Sequence, residues 1–158
     1  MIRGIHHVAV TTNDIDRMVA FYCDAIGFSL VDVSTWESEP LVDDVIDVPH
    51  SSARVAMLRA GNVFFEIFQY RSPATLVGTP LRPFQPGYTH VSFDVVGLEA
   101  ECDRLKAAGM RFAKRIGDFG VLKAIYGYDP DGNVIELQEV IDSSHPYVLK
   151  GLTPEESV

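Results

Sequence analysis

The chain is predicted to be an α+β protein built from one strand–helix–strand–strand–strand motif (βαβββ) used twice. Three observations predict it. A histidine-centred strand, "GIHHVAV" from Gly4, returns as "GYTHVSF" from Gly87. An amphipathic helix that ends on a glycine follows each copy. Each half then closes on a Gly-Asn-Val strand carrying a glutamate, "GNVFFEIFQ" from Gly61 and "GNVIELQEV" from Gly132. An internal duplication fixes architecture ahead of any single element, because each copy must fold by the same local rules.

The elements follow in order. With one residue of slippage, "GIHHVAVTTNDIDRMVAFYCDAIGFSLVD" aligns with "GYTHVSFDVVGLEAECDRLKAAGMRFAKR". His7 falls on His90, Ile15 on Leu98, Tyr22 on Leu105 and Gly27 on Gly109. After a one-residue gap, Glu66 falls on Glu136. "VAV" and "VSFDV" alternate as strands do. In the first helix Ile15, Met18, Val19, Tyr22 and Ile26 share a face. Asn13 or Asp14 caps its start, and Gly27 closes its end in a left-handed conformation. Leu98, Cys102, Leu105 and Ala108 make the second stripe, ended by Gly109. Strands are expected at 28–35, 53–60 and 62–70, and again at 110–116, 120–127 and 133–140. The insertion "WESEPLVDDVIDVPHSS", from Trp36 to Ser52, has no counterpart; a lid over a site and a plain surface segment are its two alternatives. So residues 1–140 are read as a single domain of two modules (4–72 and 87–140), followed by a tail over 141–158. In that tail "SHPY" and "LTPEE" read as turns.

Composition narrows the functions. The 158 residues are 47% hydrophobic and 22% charged, typical of a globular protein. The net charge is −9, and no Lys/Arg cluster stands out along the chain. Neither nucleic acid nor an anionic membrane is therefore an expected partner. No apolar run reaches membrane-spanning length, and "MIRGIHH" does not read as a signal peptide. Cys23 and Cys102 fall in helical patterns without zinc spacing. They read as reduced packing residues of a cytoplasmic protein.

Alternation along the first strand of each module separates two faces. Val8, Val10, Val91 and Phe93 suit packing beneath the helices. His7, Ala9 and Thr11, like His90, Ser92 and Asp94, make a face of imidazole, small and polar groups that suits a lined cavity. Only His7, and not His6, superposes on His90. Phe64, Phe68, Tyr70, Tyr88, Tyr126 and Tyr128 are candidate wall residues. Glu66 and Glu136 each sit among apolar neighbours, where a carboxylate needs a compensating charge or becomes neutral. A metal ion supplies that charge. Two imidazoles and two carboxylates suit one divalent first-row ion: Fe, Mn, Co, Ni or Zn. "DPDGN", Asp129 to Asn133, is explained by hairpin-turn chemistry.

"HHVAV", "VAFYCDAIGF", "NVFFEIF", "THVSFDV" and "DPDGNVIELQE", in this order, resemble the vicinal oxygen chelate superfamily over about residues 4 to 140. That group includes glyoxalase I, methylmalonyl-CoA epimerase, extradiol dioxygenases, and fosfomycin- and bleomycin-resistance proteins. The resemblance implies paired βαβββ modules whose mixed sheets curl into a cup with the metal inside, formed within one chain or across a dimer; a homodimer is expected. It places the metal ligands at His7, Glu66, His90 and Glu136. A carboxylate at Glu66 resembles glyoxalase I and the epimerases. Both move a proton next to a carbonyl through a metal-stabilised enediolate or enolate. The expected activity is thus that of a metal-dependent lyase or isomerase on a small carbonyl or hydroxy-carbonyl substrate. Glu136, Glu66 and Asp47 are the candidate catalytic acids, Asp47 being the nearest match to a further acid of the epimerases. Thr11 stands where glyoxalase I carries an arginine for glutathione. The alternatives are an extradiol-type ring-cleaving dioxygenase and a non-catalytic small-molecule binding protein.

Overall fold

Strand β1 (His7–Thr11) runs parallel to β4 (Val63–Ser72), placing Ala9 opposite Glu66 and Thr11 opposite Phe68. Between them lie helix α1 (Ile15–Ala20), strand β2 (Ser29–Glu37), helix α2 (Pro40–Ile46) and strand β3 (Ser52–Ala60). The sheet order is β1-β4-β3-β2, with β3 antiparallel to both β4 and β2. The computed structural model describes residues 1–76 and 78–151. It divides into two compact units, Met1–Gly78 and Thr79–Gly151.

In the first unit the side chain of Asp14 accepts from the Arg17 N–H and starts α1. The helix then widens into a π-helical stretch, Phe21–Ile26, and stops at Gly27 with φ 97°. A left-handed φ of that size favours glycine, as the sequence predicted. Ile15, Met18 and Tyr22 are fully buried, as are Ala56, Leu58, Phe65 and Ile67 on the sheet. The Tyr22 and Phe65 rings stand 4.3 Å apart. Each such large side chain contributes about 1.5–3 kcal/mol by leaving water. The helix therefore covers the Phe65/Ile67 face, and Glu66 points to the other, because neighbours on a strand alternate.

The second unit repeats the plan. Strand β5 (His90–Asp94) runs parallel to β9 (Val134–Val140), with Ser92 opposite Glu136. Helix α3 (Leu98–Ala107) buries Leu98, Cys102 and Leu105; Ile135 and Leu137 are buried on β9. The sheet order is β5-β9-β8-β6, where β8 is Leu122–Tyr128 and β6 is Arg111–Phe112. The single strand expected over 110–116 is not formed. Two short strands, β6 and β7 (Gly117–Asp118), both pair with β8, and the residues between them leave the ladder.

The expected insertion is largely regular. Trp36 and Glu37 extend β2, Ser52 opens β3, and α2 lies between them. Asp43 ties the segment shut. Its carboxylate accepts from the His50 and Ser51 backbone N–H groups at 2.8 and 2.9 Å and from the Ser51 hydroxyl at 2.5 Å. The Trp36 indole N–H donates to the same Ser51 oxygen at 2.7 Å. Cys23 and Cys102 are free thiols. Residues 143–147, covering "SHPY", form turns as expected; "LTPEE" lies outside the described residues. Among the described residues no helix is long and apolar enough to cross a membrane.

Candidate metal centre

Each unit brings one histidine and one glutamate together. His7 Nε2 lies 3.5 Å from Glu66 Oε2, and His90 Nε2 lies 3.5 Å from Glu136 Oε2. The match has a backbone cause. In both parallel ladders the histidine sits two residues before the partner of the glutamate: His7 before Ala9, His90 before Ser92. A step of two keeps both side chains on one face. The carboxylates are largely covered, at 17% and 19% side-chain exposure, while the imidazoles are more open at 43% and 32%.

Burial pushes the Glu66 carboxyl above its ordinary value, although His7 and His6 pull it back. The phenols nearby respond in the same direction. Burial raises Tyr70, with the Glu66 charge adding to it, and burial raises Tyr126, with the Glu136 charge adding to it. Tyr126 is the cross-strand partner of Glu136, and its ring lies 5.1 Å from that of His90. Met57 holds the corresponding place opposite Glu66. The two half-sites are therefore alike in donors and unlike in walls.

The outer nitrogens are also held. His90 Nδ1 is 3.1 Å from the Thr89 hydroxyl, and His7 Nδ1 is 2.9 Å from His6 Nδ1. The residue before the histidine thus engages its Nδ1 in both units, leaving Nε2 toward the glutamate. Such partners fix the tautomer and orientation of a ligating imidazole. Sequence reasoning set His6 aside and passed over Thr89. The signal was present, since both positions carry a hydrogen-bonding side chain. His6 also stacks on Phe64, with centroids 5.2 Å apart.

The other predicted positions are placed as follows. Phe64, Phe68 and Tyr70 share the Glu66 side of β4, and Trp36 meets Phe68 and Tyr70 edge-on at 6.0 and 5.9 Å. Tyr128 shares the Glu136 side through its spacing from Tyr126 on β8. Tyr88 projects fully into solvent. Asp47 is exposed and forms the left-handed C-cap of α2, with φ 56°.

The donor chemistry fits a divalent ion. Two ligands of one ion, each at about 2.0–2.2 Å, stand about 2.8–3.6 Å apart at tetrahedral or octahedral angles. The 3.5 Å spacing of each pair falls in that range. Among the described residues no group of three or more His, Cys, Asp or Glu gathers as a metal cluster; each unit brings together one His–Glu pair.

Comparison with known proteins agrees with the fold. A 2-epi-5-epi-valiolone epimerase from an Actinomyces species is 32% identical over 111 residues, or 66% of this chain and 58% of that protein. A glyoxalase family protein from Bacillus cereus superposes with a TM-score of 0.80 at 19% identity, covering 89% of this chain and 95% of that one. A fosfomycin resistance protein from Listeria monocytogenes, complexed with Mn(II) and a dihydroxypropylphosphonic acid, gives a TM-score of 0.59 at 18% identity, covering 89% and 94%. Residues 4–137 match the model of one family across most of the chain, which therefore belongs to the glyoxalase/bleomycin resistance protein/dioxygenase superfamily.

Proposed function

We propose that the protein is a metal-dependent lyase or isomerase that moves a proton on a carbon next to a carbonyl, with His7, Glu66, His90 and Glu136 serving one divalent ion. The observation that carries this reading is the twinned pair: the same two donor types, at the same register and the same 3.5 Å spacing, in both modules. A purely structural histidine has no reason to meet a mostly covered glutamate twice. The similar epimerase supports the isomerase part of this reading, and the Mn(II) complex of a fold neighbour supports a divalent ion on this fold.

A bound divalent ion supplies Lewis-acid stabilisation for the negative charge that develops on a substrate oxygen as the adjacent C–H is broken. The chain's own groups do the rest. His7 and His90 hold Nε2 toward the carboxylates, and Thr89 and His6 fix their rings. Glu66 or Glu136, each paired with a histidine, takes the proton from carbon and returns it. Tyr70 and Tyr126 stay protonated and can donate to a substrate oxygen or steady a carboxylate. Asp47, exposed at the C-cap of α2, is the third candidate acid.

Two measurements test the reading. Elemental analysis of the purified protein should find about one divalent ion per chain, lost in His90→Ala and equally in His7→Ala. The metal-loaded protein should exchange solvent deuterium into the α-carbon of small hydroxy-carbonyl compounds. Full metal content in either variant would overturn the four-ligand assignment. Oxygen uptake with catechols and no deuterium exchange would move the protein to the ring-cleaving branch.

A further inference from the structure

The edge of the second sheet departs from its duplicate. Strand β6 pairs with Tyr128 and Gly127, and β7 pairs with Ala124 and Lys123. Four residues, Ala113 to Ile116, therefore span only two on β8, Ile125 and Tyr126. One bond, from the Ala113 N–H to the Tyr126 carbonyl at 2.7 Å, pins the start of this bulge. In the first module β2 runs unbroken from Ser29 to Glu37, with a single register shift between Leu30 and Asp32. Two extra residues lift the edge off the sheet, and wide bulges of this kind re-aim side chains next to functional sites.

The bulge borders an open, solvent-facing cavity of about 640 Å³. Phe112, Ile116, Ile125 and Tyr128 give it apolar walls. Gly127 makes room for them: a Cβ there would stand 2.5 Å from the Met110 methyl and 3.0 Å from the Phe112 ring. Lys106, Arg111, Lys114 and Arg115 bring four cations to the same cavity, and no carboxylate lines it. This corrects the sequence expectation that no basic cluster exists. Lys106 comes from α3 and the others from the edge strand and bulge, so folding was needed to gather them.

The cations are available. The Arg111 guanidinium lies over the Tyr128 ring at 5.6 Å, and Lys106 over Phe112 at 5.9 Å. Lys106 also meets Asp103 at 3.3 Å. Among the described residues Lys114 and Arg115 have no carboxylate partner. Counting from the shared glycines Gly27 and Gly109, the first module has Ser29, Asp32 and Val33 where the second has Arg111, Lys114 and Arg115. The charge is thus particular to this edge and not a requirement of the scaffold.

We propose that the bulge cavity is a binding site for a small organic anion of two or more negative charges, a phosphate ester above all, whose flat or aliphatic part lies against Phe112, Ile116 and Ile125. Guanidinium forks match phosphate oxygens in pairs. The volume suits a small molecule. A chain of net charge −9 repels an extended polyanion over most of its surface, which favours a compact ligand over nucleic acid. His90 and Glu136 do not line this cavity, so the proposal stands apart from the metal reading.

The test is an NMR titration of the full chain with phenyl phosphate, inorganic phosphate and phenol. Phenyl phosphate should give saturable shifts at the Lys114 and Arg115 amides and at Ile125. Inorganic phosphate should bind more weakly, and phenol should not saturate. Added salt should weaken the phosphate ester. The double variant Lys114→Glu/Arg115→Glu should lose at least about tenfold in affinity while the β8 and β9 resonances keep their positions. Unsaturable shifts, or equal affinity in the double variant, would sink the proposal. Tighter binding of a short single-stranded oligonucleotide than of phenyl phosphate at the same residues would also reject the small-ligand assignment.

Discussion

Thr89 is the residue through which the proposed ligand role of His90 can be probed without touching the ring itself. Its hydroxyl engages His90 Nδ1 at 3.1 Å, so Thr89→Val should leave the strand intact yet weaken metal affinity about tenfold, measured by competition with a chelating dye. Unchanged affinity would remove Thr89 from the centre. Asp43 acts at a distance from that chemistry. The Ser51 hydroxyl, then the Ser51 and His50 N–H groups, hold its carboxyl below the ordinary 3.8 despite some desolvation. A depressed folded value means its stabilising contribution is complete above about pH 3.8 and is lost as pH falls through the lower folded value. The chain has one tryptophan, Trp36, and it donates to the same Ser51 oxygen. Its emission should therefore shift in that acid window, and Asp43→Asn should show the shifted emission already at pH 7. Identical emission in variant and parent across pH would refute the clasp. The two His–Glu pairs of the candidate site were legible in sequence as residue types and faces, because duplication aligned His7 with His90 and Glu66 with Glu136. The Nδ1 partners and the Asp43 clasp were not, since each depends on side-chain rotamers that no periodicity encodes.

At the level of elements, the two modules share a device that lies three residues beyond each paired glutamate. Gln69 on β4 accepts from the Ile15 N–H at 3.2 Å and donates to the Asn13 carbonyl at 3.0 Å. Glu139 on β9 accepts from the Gly97 and Leu98 N–H groups at 2.7 and 3.1 Å. A strand side chain thus caps the helix that packs on its own sheet, satisfying N–H groups that a helix start leaves open. Glu139 also suits the positive end of α3. Gly97 has no side chain to cap that helix and sits at φ 73°. Glu139→Ala should then cost about 1–2 kcal/mol in urea unfolding, read as a lower midpoint at unchanged slope. A change under 0.3 kcal/mol, on the order of ordinary surface substitutions, would mean that water replaces the cap at no cost. The strands and helices themselves were readable from alternation, helical stripes and terminal glycines. The π-helical stretch after Ala20 and the break at Ala113 were not. "RFAKRI" is expected from sequence to form one continuous strand, and its pairing with β8 reveals that two residues are surplus.

For the whole molecule, the proposed four-ligand centre would link metal binding to folding. The chain carries 22 acidic against 13 basic residues, so in such a centre a divalent cation would relieve like-charge repulsion as well as satisfy two covered carboxylates. Each unit has its own buried core, Tyr22 and Phe65 in one, Leu105 and Ile135 in the other, and each supplies one His–Glu pair. An ion served by both pairs binds tightly only while both modules are folded. Saturation at a hundred times the dissociation constant should then add about 2.7 kcal/mol. Calorimetry should show a higher and sharper transition with Mn(II) or Zn(II) than after chelation. His7→Ala and His90→Ala should each remove most of that gain, although they alter different modules. If one variant loses the gain and the other keeps it, the ion belongs to a single module and the shared centre does not exist. If neither loses it, the added stability comes from cations screening the acidic surface, and monovalent salt at matched ionic strength should reproduce it.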